Sequence, residues 1–252
     1  MTDVASSSDS SDESGATSLR DGVGEGAPRS IALIMDGNGR WASARGLPVA
    51  EGHREGARAL RRTVEAAVDL GIDSLAVYAF STENWARPAA EVASIIELLD
   101  QTIERELPDL ARQGVRTRFF GRRDRVPAEL RVKMATLEDE TAHLDRLQLW
   151  IAFDYGGRAE LVEALRALLR EGAVADDLSE ADIAARLYAP ELPDPDLVIR
   201  TSGEQRLSNF LLWQTAYAEL VFDETYWPDF GEERLRAAVE EYTSRGRRFG
   251  AR

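Results

Sequence analysis

Short unbroken apolar runs alternate along the chain with longer stretches whose apolar residues recur every three or four positions. The runs are "IALIM" (Ile31 to Met35), "LAVYAF" (Leu75 to Phe80), "LQLWIAF" (from Leu147), "DLVIR" (to Arg200) and "AELVF" (to Phe222). Runs of this length bounded by turn residues predict strands covered on both faces. "VRTRFF", Val115 to Phe120, alternates instead and predicts a strand near a sheet edge. Between the runs, Leu60, Val64, Ala67 and Val68 predict a helix ending at Gly71. Val92, Ile95, Ile96, Leu99 and Ile103 predict one long helix from Pro88 to about Gly114. Further helices are expected from Arg158 to Arg170, after a capping box at Ser179 and Asp182, and from Glu232 to Tyr242. Strands alternating with helices imply an α/β fold: a single domain with a mainly parallel central sheet and helices on both faces.

Composition narrows this further. The first 29 residues are rich in Ser, Asp and Gly, carry six acids against two arginines, and predict a disordered acidic tail before a catalytic domain over 30–252. No stretch is apolar over the roughly 18–20 residues that cross a bilayer. With no cysteine, thiolate chemistry and cysteine metal sites are excluded, which suits a cytoplasmic protein. The net charge of −14 argues against a nucleic-acid partner. Lys133 is the one lysine among 31 bases, so any anion site must be built from arginine forks.

In parallel sheets ligands bind beyond the carboxyl ends of the strands. Four fragments fall there: "DGNGRW", "STENWARP", "DYGGR" and "TSGEQRLSNF". Together they bring Arg40, Arg87, Arg200 and Arg206 toward one rim. Gly37 and Gly39 would let backbone N–H groups approach an anion closely, and guanidinium forks suit diphosphate oxygens. Asp36 is out of place among anion binders unless a divalent cation bridges it to phosphate, as Mg²⁺ does. Each element alone also reads as a plain turn, solvated surface or packing; their co-location favours a Mg-diphosphate site.

The motifs "MDGNGRWA", "GHREGA", "YAFSTENWARP", "DYGGR", "DLVIRTSGEQRLSNFLLWQTAYAELVF" and "YWPDF" resemble the cis-prenyltransferases, the undecaprenyl-diphosphate synthase family of isoprenyl transferases, from Ile31 to Gly250. The resemblance implies a homodimer whose α/β sheet flanks a hydrophobic tunnel. It implies condensation of isopentenyl diphosphate onto an allylic diphosphate, such as farnesyl or geranylgeranyl diphosphate, to form Z double bonds. By resemblance Asp36 is the catalytic, Mg²⁺-linked aspartate, and Gly37, Asn38, Gly39, Arg40, Trp41 and His53 cradle the allylic diphosphate. Ser81, Thr82 and Glu83 match a mobile segment, Asn84 the residue that assists proton removal, and Trp85 and Arg87 adjoining substrate contacts. Arg200, Arg206, Leu207 and Ser208 match the isopentenyl-diphosphate site, and Glu219 a Mg²⁺-binding acid acting across the dimer. "RRFG", Arg247 to Gly250, matches a tail reaching the partner subunit. The lipid product implies loose peripheral membrane contact for an otherwise cytoplasmic protein. Val49 stands where many members have arginine, and Arg45 is the candidate to compensate; Gln205 stands where some have histidine.

Three rivals are weaker. "DDLSE", Asp176 to Glu180, is a near match to the paired acids of all-α trans-type synthases, but it falls in a polar loop at a helix cap. An aspartyl phosphatase would want a second acid at position 38, which is Asn38. A non-catalytic subunit would have lost Asp36, whereas this chain keeps it with Arg40 and Asn84.

Overall fold

Six strands, β1 (Ser30–Ile34), β2 (Ser74–Ser81), β3 (Val115–Phe120), β4 (Leu147–Tyr155), β5 (Leu197–Arg200) and β6 (Glu219–Phe222), pair in the order β3-β4-β2-β1-β5-β6. Every pairing is parallel in this computed structural model, which describes residues 26–105 and 107–245. Most of the predicted tail and the "RRFG" ending lie outside the described residues. The apolar runs are the strands, and the alternating "VRTRFF" is an edge, as its pattern predicts.

Parallel pairing sets the register that matters for function. Ile34 lies beside Arg200, Arg200 beside Phe222, and Ser81 beside Tyr155, so the segments following β1, β2, β4, β5 and β6 share one rim. Alternate strand residues feed two cores. On one face Leu33, Val77, Ile151 and Ile199 pack against α2 (Val49–Asp69), α3 (Ala89–Arg105), α5 (Ala128–Glu140) and α8 (Glu232–Ser244). On the other, Ala32, Ile34, Trp150 and Val198 meet Ala189, Leu192, Phe210 and Leu211. This side also holds α6 (Gly157–Arg170), whose buried Glu160 accepts hydrogen bonds from the Tyr155 hydroxyl and the Tyr188 amide.

The helix expected from Pro88 to Gly114 is seen as α3 and α4 (Leu107–Arg112), which lie on either side of residue 106, itself outside the described residues. One reading of the sequence, that of the stretch after β1, needs correction. The polar stretch after β1, which reads as a turn, forms α1 (Asn38–Ala44). It starts from Gly37 in the left-handed region at φ 105°, where a Cβ would also meet Tyr226 and Ser202. α1 packs on α2 because Gly52 and Gly56 of "GHREGA" leave room for Asn38; a Cβ on Gly52 would lie 2.1 Å from the Asn38 carbonyl oxygen. The capping box at Ser179 and Asp182 opens α7 (Glu180–Ala184), as predicted.

Candidate active site

Asp36 is the first polar residue beyond β1, and its backbone is fixed before its side chain is considered. Its N–H donates to Thr201 Oγ1 (2.9 Å), while its carbonyl accepts from the Thr201 hydroxyl (2.7 Å) and the Trp227 amide (3.0 Å). The carboxylate is ringed by donors: Gly37 N–H at 2.7 Å, Arg200 Nη2 at 2.7 Å and Arg40 Nη2 at 3.2 Å. Partial burial works against the charge, but the Arg200 hydrogen bond and charge, the Arg40 charge and the Gly37 amide outweigh it. The Asp36 carboxyl is therefore held below the usual carboxylate range.

The arginines are themselves anchored. Arg200, almost fully buried, donates to Ser208 Oγ at 2.6 Å and to the Arg206 carbonyl. Arg40 donates to Ser202 Oγ and reaches Glu204 Oε1 at 3.2 Å, and Glu204 also pairs with Arg206. Each guanidinium thus rests on a carboxylate or hydroxyl that an incoming anion could replace. Ser202, Ser208, Asn209, Asp154 and Leu211 all have positive φ. Such backbone strain concentrates where a rim must point polar groups at a ligand.

Next to the charged cluster lies an apolar cleft of about 680 Å³, its open mouth included. Met35, Leu60, Tyr78, Ile95, Leu99 and Phe153 form walls between α2, α3 and the sheet, and Asn38 and His53 lie at its polar end. Asn38 Oδ1 is buried with no partner among the described residues. Burial first, then the Arg87 charge, holds the His53 pKa below its ordinary value against the opposing pull of Glu91. A cationic rim opening onto an apolar slot suits an amphiphile with an anionic head and a hydrocarbon tail.

Comparison with known proteins agrees with this geometry. Residues 34–250 match the family described as "Putative undecaprenyl diphosphate synthase". The chain belongs to that family. It is 49% identical to isoprenyl transferase 2 of Bradyrhizobium diazoefficiens, over 89% of this chain and 90% of that protein. It is 48% identical to the ditrans,polycis-undecaprenyl-diphosphate synthase of Xanthomonas axonopodis pv. citri, described as (2E,6E)-farnesyl-diphosphate specific, over 88% of both chains. Among solved structures it resembles lavandulyl diphosphate synthase from Lavandula x intermedia in complex with dimethylallyl diphosphate. That likeness has a TM-score of 0.87 at 34% identity and covers 90% of this chain and all of that one.

Within this isoprenyl transferase the expected residues fall into distinct groups. Asp36, Gly37, Arg40, Arg200, Arg206 and Ser208 are linked by the contacts above, while Gly39 lies within α1 and Leu207 packs toward the second core. Ser81 ends β2 and Thr82 to Arg87 follow it, with Thr82–Ala86 forming a 3₁₀ turn. There Asn84 Oδ1 accepts the Ser81 amide at 3.0 Å, Thr82 donates to Glu83, and Arg87 pairs with Glu91. Trp41 donates to Asp229 at 2.7 Å, and Arg45 both pairs with Asp229 and stacks over the Trp41 ring. Arg45 is thus engaged there rather than with the Asp36 cluster. Glu219 begins β6 opposite Leu197, at the foot of the sheet, three residues below the rim and paired with Arg245. One chain therefore does not bring Glu219 to Asp36. Sequence reasoning gave no individual role to Thr201, Ser202, Glu204, Asp154 or Tyr226, although all five fall within the fragments it singled out.

Proposed function

We propose that this isoprenyl transferase condenses isopentenyl diphosphate with an allylic diphosphate, of the farnesyl or geranylgeranyl kind, to give a Z-polyprenyl diphosphate. The observation that carries the reading is Asp36 held between Arg40 and Arg200 at the mouth of an apolar cleft. Two diphosphates side by side repel strongly, and Arg40, Arg200 and Arg206 offset that charge. The same arginines stabilise the departing allylic diphosphate as positive character develops on carbon. The isopentenyl double bond then attacks and a proton is lost. Asn84 is too weak a base to take it, so its amide orients the substrate, and a phosphate oxygen accepts the proton. Each added isoprene buries about five carbons, roughly 3–4 kcal/mol of apolar transfer along the cleft.

Mg²⁺ fits the residues present. Among the described residues no three His, Cys, Asp or Glu side chains gather into a metal cage. Asp36 is one partly exposed carboxylate beside diphosphate-binding arginines, which matches a cation that takes most of its ligands from substrate and water. Asp36 would hold it, with Glu219 contributed by a partner subunit; when bound, the ion would neutralise the leaving diphosphate. A homodimer is supported by exposed Val162, Leu165 and Leu169, which form one stripe on α6 beside exposed Val174. No described helix is long and apolar enough to cross a membrane, and the lipid product would give loose peripheral contact.

The deciding experiment incubates purified protein with Mg²⁺, farnesyl diphosphate and labelled isopentenyl diphosphate. A ladder of Z-polyprenyl diphosphates that EDTA abolishes is expected. No extended product, or synthesis indifferent to chelation, overturns the substrate or the metal assignment respectively.

A further inference from the structure

Asp154, one residue before the end of β4, is a fully buried carboxylate in the left-handed region, at φ 49°. Burying a charge there is costly unless it is paired and hydrogen-bonded, and both conditions are met. Arg125 grips it with two nitrogens, at 2.7 and 3.2 Å, and the Trp85 indole N–H donates to Oδ1 at 2.8 Å. The Arg125 guanidinium also lies over the Trp85 ring, 4.9 Å from its centre, and Phe80 meets that ring edge-on. The Asp154 carbonyl accepts the Arg122 amide at 3.1 Å, so this one residue ties together the segments leaving β2, β3 and β4. Trp85 belongs to the Thr82–Ala86 turn, whose other side is held by Asn209 donating to Glu83 at 2.9 Å.

We propose that Asp154, gripped by Arg125, is a positioning residue that fixes Trp85 and so holds the turn carrying Asn84 at the rim. The proposal rests on the reading of Asn84 given above, and it acts through Trp85 rather than on substrate. A core ion pair with no positioning role would stabilise the fold globally and leave the turn no looser than its surroundings. The arrangement instead places the buried carboxylate on a side chain of the turn itself.

Asp154→Gly removes the carboxyl while keeping a residue that accepts the positive φ, and Asp154→Asn keeps an oxygen for the indole. Trp85→Phe removes only the indole donor and some ring. Hydrogen exchange of amides 82–86, measured on the whole protein without substrate, is expected to quicken about tenfold in Asp154→Gly and Trp85→Phe, with the sheet amides unchanged. Asp154→Asn restores most of the protection. In the polyprenyl assay kcat falls about tenfold or more in Asp154→Gly, while KM for isopentenyl diphosphate holds near wild type. Wild-type exchange at 82–86 in Trp85→Phe overturns the proposal even where Asp154→Gly fails to fold. Loosening spread evenly over the sheet, or loosening with full kcat, overturns it too. A wild-type protein that makes no product defeats the assigned reaction alone, because the exchange measurement still decides the clamp.

Discussion

Asp36 illustrates how one side chain can be fixed by the backbone around it and tuned by the charges facing it. Asp36→Ala is expected to lower turnover by about 10³ or more, since it removes the carboxylate that bridges Arg40 and Arg200 in the cleft mouth. The variant also leaves Arg200, only 4% exposed, without its carboxylate. That costs roughly 1–3 kcal/mol of stability, read as an earlier urea midpoint with an unchanged far-ultraviolet circular dichroism spectrum. Wild-type-like synthesis would refute the metal role. His53 gives a separate pH signature. Its pKa is lowered in the folded protein, so below 6.5 the unfolded chain binds a proton that the fold resists. Stability therefore declines as pH falls from 6.5 and stops declining once pH passes beneath the folded pKa, with a slope of at most about 1.4 kcal/mol per pH unit. Asp36 acts lower: its folded pKa lies beneath 3.8, and its contribution, present above that value, is lost only as pH falls through the depressed pKa. The chain has two histidines, so His53→Gln should visibly flatten the slope between pH 7 and 5 in urea titrations. An unchanged slope would place the effect elsewhere.

At the scale of elements, the slot between α2 and α3 sets what the site can hold. Ala57 and Leu60 face Ile95, Leu98, Leu99 and Thr102 across it. Ala57→Phe should occupy space that a growing chain needs, so the first condensation persists while mass spectrometry of the products shows a shift of one or more isoprene units toward shorter chains. An unaltered ladder would mean that the chain grows elsewhere. The apolar stripe of α3 was legible in the sequence because a helix lining a slot and a helix covering a core need the same spacing. α5 escaped because its buried residues, Leu130, Met134 and Leu137, are few among charged neighbours. The rim glycines and arginines were legible because their residue types announce their chemistry. The tasks of Thr201 and Asp154 within their fragments were not, since their partners lie 165 and 69 residues away in sequence and only the folded sheet brings them together.

For the whole molecule, the position of Glu219 and the exposure of α6 lead to one test. Parallel strands put every rim residue at one end of the sheet, and Glu219 starts its strand at the other. An acid in that place can serve an Asp36 site only from another chain. Meanwhile Val162, Leu165 and Leu169 leave an apolar stripe on a helix whose opposite side, with Ala164 and Leu168, is already buried. Leu169 is 72% exposed, so Leu169→Glu disturbs no core packing, and pairing it with Leu165→Glu puts two like charges on the stripe of each subunit. Facing carboxylates with no counter-charge at a desolvated contact cost several kcal/mol, enough to dissociate a standard interface at micromolar concentration. The double variant is expected to elute as a monomer by light-scattering chromatography, with native circular dichroism and turnover reduced about tenfold or more. Asp36→Ala mixed with Glu219→Ala should regain part of the activity that each lacks alone, because one mixed dimer carries a site with both acids intact. A monomeric double variant with full turnover, or mixed subunits that stay inactive while exchanging partners, would show that each chain completes its own site.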